Sequence, residues 1–358
     1  MRYDPSLNGR RLSRGVVRVV AASYALCYLA LYANAGALLP EFIFRDAEKI
    51  QAQIGGADTF ADTSFDAVGK LYGWFGGGVD AVIAGIGVCF IWAMLRSANR
   101  FRLMVAAFVL SLPCVFFNLF VASKDTVVVL MSLLVAWSAR RFAVNGTLVA
   151  MLTLYGIYAC FIRSYFALVA AFALICVVFH LLSLRGKLVL SATAASIFAL
   201  LPSWAYYALL HPRDMAVDYL VYESPFGART SFYNPIDPSS LYGFTLDYLY
   251  AIGRLNFAPL FSPGPKEFML QVFVALAVVP AMCMLRRTRA NSGNSSDAVL
   301  ASLVLGHVAV SMLFEPDLGS YIRHLSSVAL LSLNLLARHE QPARSTAQLR
   351  TSSSGAFR

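Results

Sequence analysis

Apolar runs long enough to cross a lipid bilayer recur along nearly the whole of this 358-residue chain, and they leave few folds open to it. They lie at about 15–38, 72–95, 103–121, 126–138, 142–161, 164–183, 188–210, 268–285, 298–314 and 325–337. Backbone N–H and C=O groups in hydrocarbon must pair within the protein, which leaves helices or closed barrels. Runs of this length suit helices, because barrel strands are short and alternate in polarity. The residues are 59% hydrophobic and only 13% charged, too few for a soluble surface. The chain is therefore expected to be all-α and polytopic, with about ten transmembrane helices in one domain over 1–338 and a polar, disordered tail at 339–358. The short runs at 126–138 and 325–337 should extend into flanking polar residues or re-enter the membrane. "ANAG" (33–36) resembles a signal-peptidase site, but the first run is long for a signal segment and reads better as an uncleaved anchor.

Charge fixes the expected orientation. One set of connections carries Arg96, Arg100, Arg102, Arg140, Arg141, Arg185, Lys187, Arg286, Arg287 and Arg289. With both termini this set holds 19 Lys/Arg and three acids; the other set holds 10 Lys/Arg and 16 acids. The excess of Lys/Arg assigns the first set and both termini to the cytoplasm, so the net charge of +10 reflects topology and no nucleic-acid partner is implied. Two outer segments are large. That at about 39–71 is acidic, and that at about 211–267 is rich in Tyr, Phe and Pro, with helix-like stretches at 216–222 and 240–254. The six cysteines all fall in apolar runs with no CxxC pair and read as small hydrophobes.

Against this background a few charges need explaining. Lys124 and Asp125 sit in a minimal link between two apolar runs, and Arg163 interrupts "YACFIRSYFALVAAF" (158–172). "EPDLGSYIRHLSSVALL" (315–331) places Glu315, Asp317, Arg323 and His324 at the lip of the last run. By the charge count all three groups face outward, and the long loop adds Arg213, Asp214, Arg229 and Arg254. Each group could simply solvate a turn. Together they form a set of cations suited to a diphosphate, since arginine binds phosphate bidentately and lysine adds a point charge. Asp125, Glu315, Asp317 and His324 are then the candidate bases for a hydroxyl nucleophile, and the sequence does not choose among them. No Walker sequence, GxGxxG, HExxH or DxD is present, so neither a metal nor another cofactor is expected. His180 and His307 lie within apolar runs and read as core histidines.

"SKDTVVVLMSLL" (123–134), "RSYFALV" (163–169) and "EPDLGSYIRHLSSVALL" (315–331) resemble stretches in bacterial polysaccharide polymerases of the Wzy type. The resemblance, over roughly 100–340, implies an enzyme of the bacterial inner membrane with a periplasmic active face, serving exopolysaccharide, capsule or O-antigen synthesis. Its substrate would be an oligosaccharide repeat unit on polyprenyl diphosphate. Its partners would be membrane lipids, a flippase, and chain-length or export proteins of the pathway. Lys124, Arg163 and Arg323 would hold the diphosphate, with Arg213 and Arg229 standing for the arginines of that family's long loop. Three other readings stay open: another lipid-linked-sugar transferase or ligase, a flippase or exporter of the same lipid, and an acyltransferase using His180 or His307. A scaffold without chemistry is a fourth.

Overall fold

The computed structural model describes residues 11–56, 63–224, 230–290 and 296–339. Among these the regular structure is helical and no strand occurs. The helices are α1 (Arg14–Ala33), α2 (Ala35–Leu38), α3 (Arg45–Ile54), α4 (Ser64–Gly73), α5 (Val79–Arg96), α6 (Phe101–Asn118), α7 (Lys124–Arg141) and α8 (Val144–Phe161). They continue as α9 (Phe166–Leu181), α10 (Leu184–Ala199), α11 (Ser203–Asp218), α12 (Leu241–Asn256), α13 (Pro265–Ala290), α14 (Ser296–Phe314), α15 (Leu318–Ser326) and α16 (Ala329–His339).

Among the described residues, six segments are long and apolar enough to cross a membrane: Arg14–Ala33, Gly76–Arg96, Phe101–Asn118, Val144–Phe161, Pro265–Arg286 and Ser296–Phe314. A seventh arises if α10 and α11 count as one bent span. The chain is a multi-pass membrane protein. The 188–210 run, expected as one helix, turns by 90° between Ala199 and Ser203. Pro202 is the cause: it disfavours helix at Leu201 and lacks an N–H for the next turn. The last run differs as well. Its helix begins at Leu318 and breaks at Ser327–Val328 into α15 and α16. The 39–71 segment, read as a loop, contains α3 and part of α4, packed together as a hairpin. In the 211–267 segment, α11 runs on to Asp218 and a π-helical turn follows at Tyr219–Glu223.

The core centres on α14, which packs against α9, α13 and α16. Gly306 permits the closest of these approaches, because a Cβ there would lie 2.8 Å from the Val169 carbonyl oxygen of α9. At one end of the bundle Arg140 donates to Asn334 Oδ1 (2.7 Å) and Ser97 Oγ (3.0 Å), while Arg338 pairs with Asp297. The six cysteines are free, as their placement in apolar runs suggests. The 340–358 part of the tail lies outside the described residues.

Candidate functional site

The opposite end of the bundle gathers most of the charges that the Lys/Arg count assigned to the outer side. Local sequence explains how each is presented. Ser123 caps α7, its Oγ accepting from Thr126 N at 3.0 Å, so Lys124 and Asp125 form the first turn, where a carboxylate complements the helix dipole. Arg163 lies in the link between α8 and α9, its N–H donating to the Tyr158 carbonyl at 3.0 Å. Asp317 caps α15 by accepting from Ser320 N (3.0 Å) and Gly319 N (2.6 Å). Arg323 and His324 then fall in the last turn of α15, where cations meet the negative end of the dipole. The break after α15 frees carbonyl groups. Asn118 Nδ2 donates to Arg323 O (3.0 Å), and Ser132 Oγ donates to Ser327 O (2.8 Å), so the irregular backbone is satisfied by side chains of α6 and α7.

Asp125 is the hub of the site. It is almost fully buried, with Arg323 Nε 3.2 Å from Oδ2, and Arg163 Nη1 (3.5 Å) and His324 Nε2 (3.4 Å) facing Oδ1. Two arginines from distant parts of the chain thus share one carboxylate. Arg323 reaches a second acid, Asp46 of α3, at 3.1 Å. Burial works against the charged form of Asp46, but Arg323, Lys124 and Arg163 outweigh it and hold its carboxyl below the ordinary carboxylate range. Arg163 also donates to Tyr165 Oη at 2.8 Å. His324 Nδ1 bonds Glu315, while its Nε2 lies 3.2 Å from Arg163 Nη1. Lys124 Nζ donates to Ser64 Oγ (3.2 Å) and sits 3.3 Å above the Phe65 ring.

Lys124, Asp125, Arg163, Glu315, Arg323 and His324 therefore come together. Two other described candidates, Asp317 and Arg213, do not join them. The Asp317 carboxylate is engaged as a helix cap, Ser320 Oγ adding a third hydrogen bond at 2.9 Å. Arg213 is wholly enclosed: it donates to Asn234 Oδ1 (2.8 Å) and the Met312 carbonyl, and lies over the Phe232 ring, so it anchors the long segment to α14 and does not present itself to a ligand. Arg229 lies outside the described residues. Both oxygens of Asp125 are engaged by its neighbours, and Glu315 and His324 bond one another beside it. His307 is buried and bonds Tyr155 Oη at 2.7 Å, as a core histidine would.

Compared with protein-family models, curated proteins and solved structures, the chain matches none. Its chemistry must be read from the site. The cations Lys124, Arg163 and Arg323 stand against Asp46, Asp125 and Glu315, so the cluster is close to neutral. Arg323 is 30% exposed and Arg163 12%. The residues that sequence reasoning missed are Asp46, Ser64 and Phe65, all from the α3–α4 hairpin, and Asn118. Nothing distinguishes Asp46 from the other acids of its segment; only packing selects it.

Proposed function

We propose that this protein joins polyprenyl-diphosphate-linked oligosaccharide repeat units during polysaccharide synthesis, at the periplasmic face of a bacterial inner membrane. Ten crossings underlie that reading: the six long segments, α7, α9, the bent pair α10–α11 and the broken pair α15–α16. With that even number of crossings, the Lys/Arg bias supports cytoplasmic termini and an outer Asp125 cluster.

The observation that carries the reading is the meeting of Arg163 and Arg323 at Asp125, beside a Glu315–His324 couple. In the proposed reaction the acceptor hydroxyl oxygen forms a bond to the anomeric carbon of the donor chain, and the bond from that carbon to the diphosphate breaks. The hydroxyl proton passes to the His324–Glu315 couple. The electron pair of the broken bond leaves with the lipid diphosphate, whose growing charge is held by Arg163, Arg323 and Lys124. Tyr and Phe side chains of the 211–267 segment supply faces for sugar rings. The proposed class of reaction, transfer from lipid diphosphate, also includes ligases that use another acceptor.

The test is made in cells. Arg163→Lys and Arg323→Lys keep the charge but lose the planar fork. Each is expected to abolish long polymer and leave single lipid-linked repeat units on the outer leaflet. Units trapped on the inner leaflet would point to a flippase, and unchanged polymer to a scaffold.

A further inference from the structure

A groove of about 890 Å³ lies along the side of the bundle, walled by α7 and α8 and roofed by α4. Val127, Leu130 and Leu134 recur on one face of α7 at helical spacing, and Leu154 and Ile157 face them from α8. Leu134 lies ten residues beyond Lys124. At about 1.5 Å per residue the apolar wall descends about 15 Å below the cations, roughly half of a hydrocarbon core.

The upper end of the groove changes character. Ser64, Asp66, Lys70 and Ser164 line it there. Ser64 is the acceptor for Lys124 Nζ, and Ser164 is the neighbour of Arg163. Tyr158 lines the groove and donates to the Lys124 carbonyl at 3.1 Å, so the upper end of the groove adjoins the cluster through Ser64, Tyr158 and Ser164. The polarity profile is that of an amphiphile lying along the helices: hydrocarbon below, anion above. Axes of packed helices stand about 8–10 Å apart, and the furrow between two of them is one chain wide. It suits a single tail better than the paired acyl chains of a phospholipid.

We infer that this groove binds the one long hydrocarbon chain of a phosphorylated membrane lipid whose headgroup lies on Lys124 and Arg163. Resting on the function proposed above, the occupant is the polyprenyl tail of the diphosphate carrier. The groove sets the direction of the substrate: the tail enters between α7 and α8, and the diphosphate arrives at Arg163 with its sugar pointing out of the membrane.

The experiment uses the purified full-length protein in detergent, with undecaprenyl diphosphate, farnesyl diphosphate, undecaprenol, inorganic pyrophosphate and phosphatidylglycerol as probes. Leu134→Trp and Ile157→Trp fill the groove from positions 41% and 55% exposed, where a larger side chain leaves the core undisturbed. The expected result is tighter binding of undecaprenyl than farnesyl diphosphate, and at least about tenfold weaker undecaprenyl diphosphate binding in both variants, pyrophosphate being unaffected. Equal affinity for the two chain lengths, unchanged affinity in both variants, or equal displacement by phosphatidylglycerol would overturn the inference. Pyrophosphate binding that fails, or that ignores Arg163→Ala, would strike the diphosphate reading alone. Undecaprenol bound by the native protein and lost in both tryptophan variants would still establish the groove.

Discussion

Replacing Asp125 by asparagine is the sharpest test of how the cluster is held together. The carboxylate is 3–4% exposed and serves Arg323, Arg163 and His324 at 3.2, 3.5 and 3.4 Å. Removing one member of a buried charge pair costs about 3–5 kcal/mol, because the partner stays behind uncompensated. Here Arg323 keeps Asp46 and Arg163 keeps Tyr165, which places the loss near the low end, at about 3 kcal/mol. At about 2–4 °C per kcal/mol the apparent Tm should fall by roughly 6–12 °C. Thermal unfolding of the detergent-solubilised protein measures the loss. A cycle with Arg163→Gln should then show the two changes coupled by about 1–3 kcal/mol, since the second substitution removes the charge that the first exposed. A loss under about 1 kcal/mol with additive changes would mean that each charge is separately solvated, and the shared-carboxylate argument would fail.

Other outcomes follow from the same geometry. Asp46→Asn should free one edge of Arg323 and tighten inorganic pyrophosphate binding in titration calorimetry, at a cost below about 1 kcal/mol because both partners are about 30% exposed. Since the Asp46 carboxyl is held below its ordinary value of about 3.9, its contribution should be fully present above that pH and vanish as pH falls through the lower folded value; native and Asp46→Asn stabilities should converge in acid and stay separated from pH 5 to 8. Asp317→Ala should cost about 1 kcal/mol by loss of the α15 cap, visible as a lowered apparent Tm. Gly306→Ala should destabilise by about 1–3 kcal/mol, as the new methyl meets the α9 backbone, and unfolding in detergent would report it.

The sequence makes some of this legible for a plain reason. Lys124, Arg163 and Arg323 interrupt hydrocarbon, so each stands out against its own surroundings. The helical class follows from the length of the apolar runs in the same way. Asp46 gives no such signal, because its segment is polar throughout and only the docking of α3 brings it to Arg323. Arg213 looked available because it lies in a polar segment. It is enclosed because Phe232 and Asn234 fold back over it, a tertiary event that no local pattern encodes. The bend at Pro202 had a visible signal that the length and hydrophobicity of the surrounding run masked. Asn118 and Ser132 read as ordinary polar residues of apolar helices until the broken backbone they satisfy is seen.

That break has a mechanical consequence. Asp317 fastens the first turn of α15, and Asn118 fastens its last turn through the Arg323 carbonyl. Asp317 closes the nine-residue rod's own first turn, and Asn118 ties its last turn to α6. Arg323 and His324 share that last turn, so any displacement of the rod would carry both side chains together, and an uncharged asparagine of a neighbouring helix holds the backbone just before the break.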